Sequence, residues 1–340
     1  MDYVYGVATF VMSILTVIGN LMIIAAFVVE RNLRTRPSNL LVMSLSVADL
    51  LFGSYLFVYY GLPITFGLGH PFGEIGCMMS VFPEYSYIVG TLLLISISVD
   101  RVFLVSLDYS RYMRFQSASR VKVTIITCCL IGVAGASVEV GMWNFAKRIN
   151  EAAAGIDFDL YCLYPQRRMK TFALYLATTF YVLPVLLIGI LSSTFFCLLR
   201  RRIRKTVQIG SSVNGYQTQS ARLESQTTGS RDPANQEEAS RSTRTNRYKK
   251  PAITLAALVT AMLISMFPYC IYLIVAVARP QINDPGLIYI MILICQFNPL
   301  LNPIFYGATQ HQIRDLYRKQ ARKIFVRISR CVHETLEDGT

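Results

Sequence analysis

Histidine, charge and clustered cysteine are scarce in this sequence. Its three histidines (His70, His311 and His333) lie far apart, and its eight cysteines show no CxxC or metal-finger spacing. Those absences argue against a zinc site and against a dense disulfide framework, so no metal ligands are assigned. Only 16% of the residues are charged, against about 25% in a soluble domain. No internal repeat is visible, which argues against a transporter built from duplicated halves. What is abundant is apolar: 53% of the chain, with a mean hydropathy of +0.43. That excess has to sit in lipid.

About 20 consecutive apolar residues cross a bilayer. Seven windows qualify, at about 3–29, 39–62, 76–105, 121–144, 171–199, 252–278 and 285–308. The first opens MDYVYG, without a basic region ahead of it or a small-residue cleavage signal after it, so it reads as a retained span. With the N-terminus outside, 27 of the 33 Lys and Arg residues fall on cytoplasmic segments and 6 outside. The positive-inside rule therefore predicts N-out, C-in. The net charge of +13 faces anionic lipid, and a nucleic-acid partner is a poor reading of it. The expectation is an all-α membrane protein: a seven-helix bundle over 1–308 and a cytoplasmic tail over 309–340, in the plasma membrane.

The one long connection lies between spans five and six. Its central part, about 206–245, is polar, rich in Ser and Thr and poor in aromatics, so disorder is expected there. After the seventh span, HQIRDLYRKQARKIFVRI places Ile313, Leu316, Tyr317 and Ile324 near one helical face and basic residues on the other. That pattern predicts an amphipathic helix along the inner membrane surface. Cys331 beyond it reads as an acylation site or as a plain tail cysteine.

Polar residues inside spans are functional candidates by default. They are Asn20 in IGNLMII, Asp49 in LSVADLLF, Asp100 and Arg101 in SVDRVF, and Asn298, Asn302 and Tyr306 in FNPLLNPIFY. Each alone could be packing glue between helices. No catalytic pair emerges: the spans hold no histidine, and Asp49 and Asp100 lie at different depths. No ring of charges marks a channel, and span seven lacks the lysine that a retinal Schiff base would need.

Together these residues make the chain resemble a rhodopsin-like (class A) G-protein-coupled receptor over nearly its whole length. Asn20 matches the family's span-one asparagine, Asn39 and Asp49 match span two, and Asp100-Arg101-Val102 stands for the D/E-R-Y triplet. Pro184 and Pro268 match the prolines of spans five and six, and Asn302-Pro303-Ile304-Phe305-Tyr306 matches NPxxY. The resemblance implies a disulfide between Cys77 and Cys162. It also implies a two-state bundle in which Arg101 leaves Asp100 to contact a heterotrimeric G protein. Pro268 bends span six, Tyr306 swings toward Arg101, and Lys249 and Lys250 frame the inner cavity. It implies a polar midplane cluster of Asn20, Asp49, Asn298 and Asn302, with a sodium ion at Asp49 as a cofactor. Arrestin, receptor kinases and membrane lipid are further implied partners.

The chain departs from that pattern in several places. Met266 stands where the family has a span-six tryptophan, and the one tryptophan, Trp143, lies near the outer end of span four. Ser192 replaces the span-five tyrosine, Gly90 replaces a serine of the sodium cluster, and Tyr248 stands where span six usually carries an acid to hold the arginine. Weak restraint of the inactive state and poor sodium dependence are the expected consequences.

The nearest pattern is that of the biogenic-amine receptors, histamine and muscarinic in particular, through LLLISISVDRVFLV, DYSRYMRF, PYC and FYVLP. The implied ligand is small and cationic. Amine receptors place an aspartate seven residues after the span-three cysteine and eighteen before the arginine. Counted from Cys77 that place is Glu84; counted from Arg101 it is Pro83. The span is one residue short, and one residue turns a side chain about 100° around a helix. Pro83, by removing a helical hydrogen bond, is expected to distort the turn and absorb the difference. Glu84 then reads either as the counterion of an amine or as an interfacial acid paired with Arg167 or Arg168. Tyr85, Tyr87, Tyr175, Tyr181, Tyr269 and Tyr289 offer an aromatic wall for a cation, with Tyr181 and Tyr269 facing in. Gln296 replaces the family's span-seven tyrosine, and Leu176 and Phe180 replace the serines that hold a catechol. Glu139 reads as packing or interfacial. A small-peptide or lipid receptor is the alternative within the fold.

Overall fold

The computed structural model describes residues 2–68, 79, 81–151, 174, 177–221, 233–278, 285–310, 313–319, 322 and 326. Within them the chain is helical throughout, with no strand. The helices are α1 Asp2–Val29, α2 Arg31–Arg34, α3 Pro37–Leu56, α4 Leu62–Phe66, α5 Val81–Ser106, α6 Tyr109–Phe115, α7 Ala118–Glu151, α8 Leu183–Ala221, α9 Pro233–Ala278 and α10 Pro285–Thr309. Seven segments are long and apolar enough to cross a membrane: α1, α3 with α4, α5, α7, α8, α9 and α10. Each overlaps one of the seven windows read from the sequence.

Each span buries one apolar face in the bundle and turns another toward lipid. Ile23, Phe27, Leu45, Leu93, Cys128, Phe195, Leu258, Met262 and Tyr306 belong to one continuous core shared by all seven spans. Leu130, Leu183, Ile190, Ile264 and Phe267 point outward and stay exposed, as a lipid-facing surface requires. α5 is the hub: α3, α7 and α8 all pack on it. Two glycines permit the close approach of α7. A Cβ at Gly132 would lie 2.5 Å from Val89, and one at Gly135 would lie 2.8 Å from Ile88 and 3.2 Å from Phe180.

Among the described residues two wide turns interrupt the spans. Phe57–Gly61 and Ala177–Val182 are π-helical, each ending two residues before a proline, Pro63 and Pro184. A proline has no N–H for the carbonyl four residues back. Those carbonyls belong to Tyr59 and Phe180, both inside the wide turns, so the extra residue is accommodated where the hydrogen-bond ladder is already open.

Prolines in α10 are handled differently. Pro303 frees the carbonyl of Pro299, and Asn20 of α1 supplies the missing donor, its Nδ2 3.2 Å from that oxygen. The Cγ of Pro303 would in turn sit 3.0 Å from a Cβ on Gly19. Glycine next to asparagine is therefore what lets α1 approach the broken turn of α10 closely enough to mend it.

Two expectations need correction. Pro83 does not kink span three: α5 begins at Val81, so Pro83 lies in the first turn, where its missing N–H would have no intrahelical partner anyway. And within 206–245 the described residues are helical, because α8 runs to Ala221 and α9 starts at Pro233. Extending a helix already nucleated by a span costs far less than starting one, so a polar composition does not prevent it. After span seven, 313–319 is helical, with Ile313 buried and Leu316 and Tyr317 packed on the bundle core. Ile324 and Cys331 lie outside the described residues, as do Cys77, Cys162, Tyr175 and Leu176. Nothing of the side chains of Glu139, Trp143, Tyr248, Lys249, Lys250 and Tyr289 is described either.

Candidate functional site

Polar groups converge at three depths along the bundle. At the end where α5 begins, the π turn Ala177–Val182 turns Tyr181 inward. Its hydroxyl donates to both carboxylate oxygens of Glu84, at 3.2 and 3.4 Å. Tyr87, nearly one turn further along α5, stacks on Tyr181 with ring centroids 4.8 Å apart. Tyr269 of α9 meets Tyr181 edge-on at 5.1 Å, and Cys270 beside it packs against the same ring. The result is a carboxylate faced by aromatic rings from spans three, five and six. Among the described residues no Lys or Arg pairs with Glu84; Arg167 and Arg168 lie outside them.

Tyr85 does not join this cluster. It lies against Gly132 of α7, so it packs between spans three and four. Gln296 is buried in α10 and neither of its amide atoms has a hydrogen-bond partner. Phe180 packs beside Tyr181 and reaches back to Gly135.

Below the tyrosines lies a cavity of about 30 Å³, room for about two waters. Tyr87, Gly90, Met266, Asp49, Asn298 and Asn302 are among the residues that line it. Asn302 donates to Asp49 Oδ2 at 2.8 Å. The Oδ1 of Asn298 has no partner, and Asn20 is committed to the Pro299 carbonyl instead. Asp49, Asn298 and Asn302 are thus one group, while Asn20 acts next to it, on the α10 backbone. For a sodium ion the oxygen donors that fit are the Asp49 carboxylate and the Asn298 Oδ1; Gly90 offers none. A Cβ on Gly90 would lie 4.0 Å from Asp49 Oδ1, in ordinary contact. At the same level Cys295 Sγ donates to the carbonyl of Ser265 at 3.5 Å, linking α10 to the turn that leads into Pro268 of α9.

The third group lies at the other end of α5. Arg101 and Asp100 form an ion pair at 3.7 Å. Asp100 also accepts hydrogen bonds from Tyr112 Oη, at 3.2 Å to Oδ1, and from Gln116 Nε2. Burial and the neighbouring carboxylate push the Tyr112 phenol above its usual range, so it stays a donor at physiological pH. Arg202 of α8 donates to the carbonyls of Val105, in the last turn of α5, and of Leu107 just past its end. Tyr306 is fully buried, and its hydroxyl has no partner. Sequence reasoning missed Tyr112, Gln116 and Arg202. Tyr112 lies inside DYSRYMRF, a stretch already conspicuous for its pattern, but nothing local marked Gln116.

A seven-span bundle with a caged acid at one end and an arginine–aspartate pair at the other is the build of a membrane receptor. The description "7 transmembrane receptor (rhodopsin family)" matches residues 19–306, and the chain belongs to that family. It is a multi-pass plasma-membrane protein of that receptor family. Among curated proteins, a probable muscarinic acetylcholine receptor of Caenorhabditis elegans is 25% identical over 53% of this chain and 25% of its own length. A rat (Rattus norvegicus) trace amine-associated receptor is 24% identical over 87% of this chain and 75% of its own. A dopamine D2-like receptor of Drosophila melanogaster is 28% identical over 56% of this chain and 20% of its own. The chain therefore spans only about a quarter of the first of these relatives.

Proposed function

We propose that this receptor responds to a protonated amine or quaternary ammonium ligand held at Glu84. One observation carries the reading: the Glu84 carboxylate lies against the Tyr181 hydroxyl, with Tyr87 and Tyr269 completing an aromatic wall. A cation entering there gains a counterion, and each ring face adds about 0.5–2 kcal/mol. All three relatives carry amine-receptor names, which points the same way. Glu84 lies 17 residues along α5 from Arg101, about 25 Å at the helical rise. With the N-terminus outside, that puts the acid near the outer mouth and the arginine at the cytosolic face.

Activation in this reading is a shift between two arrangements of the bundle, favoured by whichever ligand binds one of them better. A cation at Glu84 engages Tyr181 and Tyr269, so it reports on the spacing of spans three, five and six. Pro268, one residue from Tyr269, is where span six bends, because the proline leaves one turn without its hydrogen bond. At the far end, release of Arg101 from Asp100 exposes it to the G protein, and Tyr306 supplies a buried hydroxyl free to meet it. Arrestin and receptor kinases are the expected further partners on the cytosolic side. Sodium at Asp49 and Asn298 would offset the charge of the acid and is expected to bind weakly, with Gly90 giving no oxygen.

The test is to express the chain, screen amines by second-messenger response, and repeat with Glu84→Gln and Tyr181→Phe. Losing the counterion should cost about 100-fold in potency, and losing the hydroxyl about tenfold. An amine equally potent on the native receptor and on Glu84→Gln overturns the assignment.

A further inference from the structure

Span six supplies no acid at the place where this family usually holds its arginine, yet the carboxylate beside Arg101 is the most heavily bonded one among the described residues. Asp100 is 5% exposed and receives hydrogen bonds from two side chains of the connection after α5, Tyr112 and Gln116. Its ion pair with Arg101 is looser, at 3.7 Å between adjacent residues of one helix. The position of the carboxylate is therefore set by neutral donors rather than by the arginine.

Of these donors Gln116 is the informative one, because both ends of its amide are used. Nε2 donates to Asp100, while Oε1 accepts from the backbone N–H of Ser38 at 3.2 Å. Ser38 is the second residue of α3, behind Pro37, so its N–H has no acceptor within its own helix. Gln116 is 7% exposed, and it is also the C-cap residue of α6, where its own N–H closes the last turn on Tyr112. One side chain thus joins three elements: the start of α3, the Arg101 end of α5 and the end of α6.

We propose that Gln116 is the positioning residue of the switch: it holds Asp100, and through it Arg101, in the inactive arrangement, in place of a contact to span six. The inference rests on reading Arg101 as the switch. Because Gln116 closes α6, a cytosolic partner that displaces α6 breaks both of its bonds together. Asp100 then loses a donor at the moment the partner arrives, which couples docking to the release of Arg101. Arg202 leaves this bridge untouched, since its bonds go to the backbone at Val105 and Leu107.

The test compares ligand-independent signalling per surface receptor in the native chain, Gln116→Ala, Gln116→Glu, Asp100→Asn and the double variant Asp100→Asn with Gln116→Ala. Gln116→Glu keeps the size and the acceptor for Ser38 but replaces the donor to Asp100 with a second acid. Both Gln116 variants are expected to raise basal signalling about threefold to tenfold and to raise agonist affinity. The double variant should match Asp100→Asn alone, since Gln116 acts through Asp100. Basal signalling that rises in Asp100→Asn but not in either Gln116 variant overturns the proposal. So does a fall in surface receptor with unchanged signalling per receptor, which would make Gln116 structural only. If Asp100→Asn itself changes nothing, the Arg101 switch reading fails, and this proposal falls with it.

Discussion

At Gly90 a single missing side chain bears on ion binding. The residue lines the cavity beside Asp49, and a Cβ there meets Leu45 at 3.5 Å and the Asp49 carboxylate at 4.0 Å, both ordinary contacts. A serine hydroxyl would therefore fit and would add an oxygen next to the acid. Gly90→Ser is expected to lower the sodium concentration that weakens agonist binding by about tenfold. Agonist displacement across a sodium series, at constant ionic strength, measures it; an unchanged sodium response would remove Asp49 as the ion's site. Asp49 was legible in the sequence as a lone acid in a span. That Asn20 serves the Pro299 carbonyl rather than this acid was not, because the donor and the acceptor are 279 residues apart.

Among the elements, the wide turn of span five sets where Tyr181 lies, and with it the proposed ligand site. One residue more or less rotates the remainder of a helix by about 100°, and Ala177–Val182 places Tyr181 on the Glu84 side. The register gap between the cysteine and the arginine in span three had suggested a repair at Pro83. Pro83 lies in a first helical turn instead, and the facing helix brings Tyr181 to Glu84 through the wide turn ahead of Pro184. Deleting Val182 should restore an α-helical turn and swing Tyr181 away, reducing affinity for an activating amine about 100-fold. Because the buried face of α8 below Pro184 is untouched, the thermal midpoint in detergent should change by only a few degrees. An unaltered affinity would mean that the π turn does not set the pocket. Sequence alone could show Pro184 but not the turn, since a proline in a span is compatible with a kink, a wide turn or neither.

For the molecule as a whole, the question is whether the two ends are coupled. The cavity, the Cys295–Ser265 contact and the hydrogen bond between Asn302 and Asp49 form a polar layer that runs from the tyrosine wall into the middle of the bundle. Arg101→Ala removes the group proposed to meet the G protein while leaving the Glu84 region intact. G-protein activation should fall to background while affinity for the amine, measured in the absence of G protein, stays within about threefold. Retained activation at equal surface expression would refute the switch assignment.

Hydrophobic length was enough to read seven spans, because a bilayer makes that property local: each span must be apolar over about 20 residues whatever its neighbours do. Short motifs such as SVDRVF and NPIFY were legible for the same reason, since each lies within one helix. What tertiary structure decided is which polar groups meet. Tyr181 with Glu84, Gln116 with Asp100 and Ser38, and Asn20 with Pro299 are each joined across distant parts of the chain. Those meetings depend on helix rotation and on where prolines open the backbone, and neither is a property of any one segment.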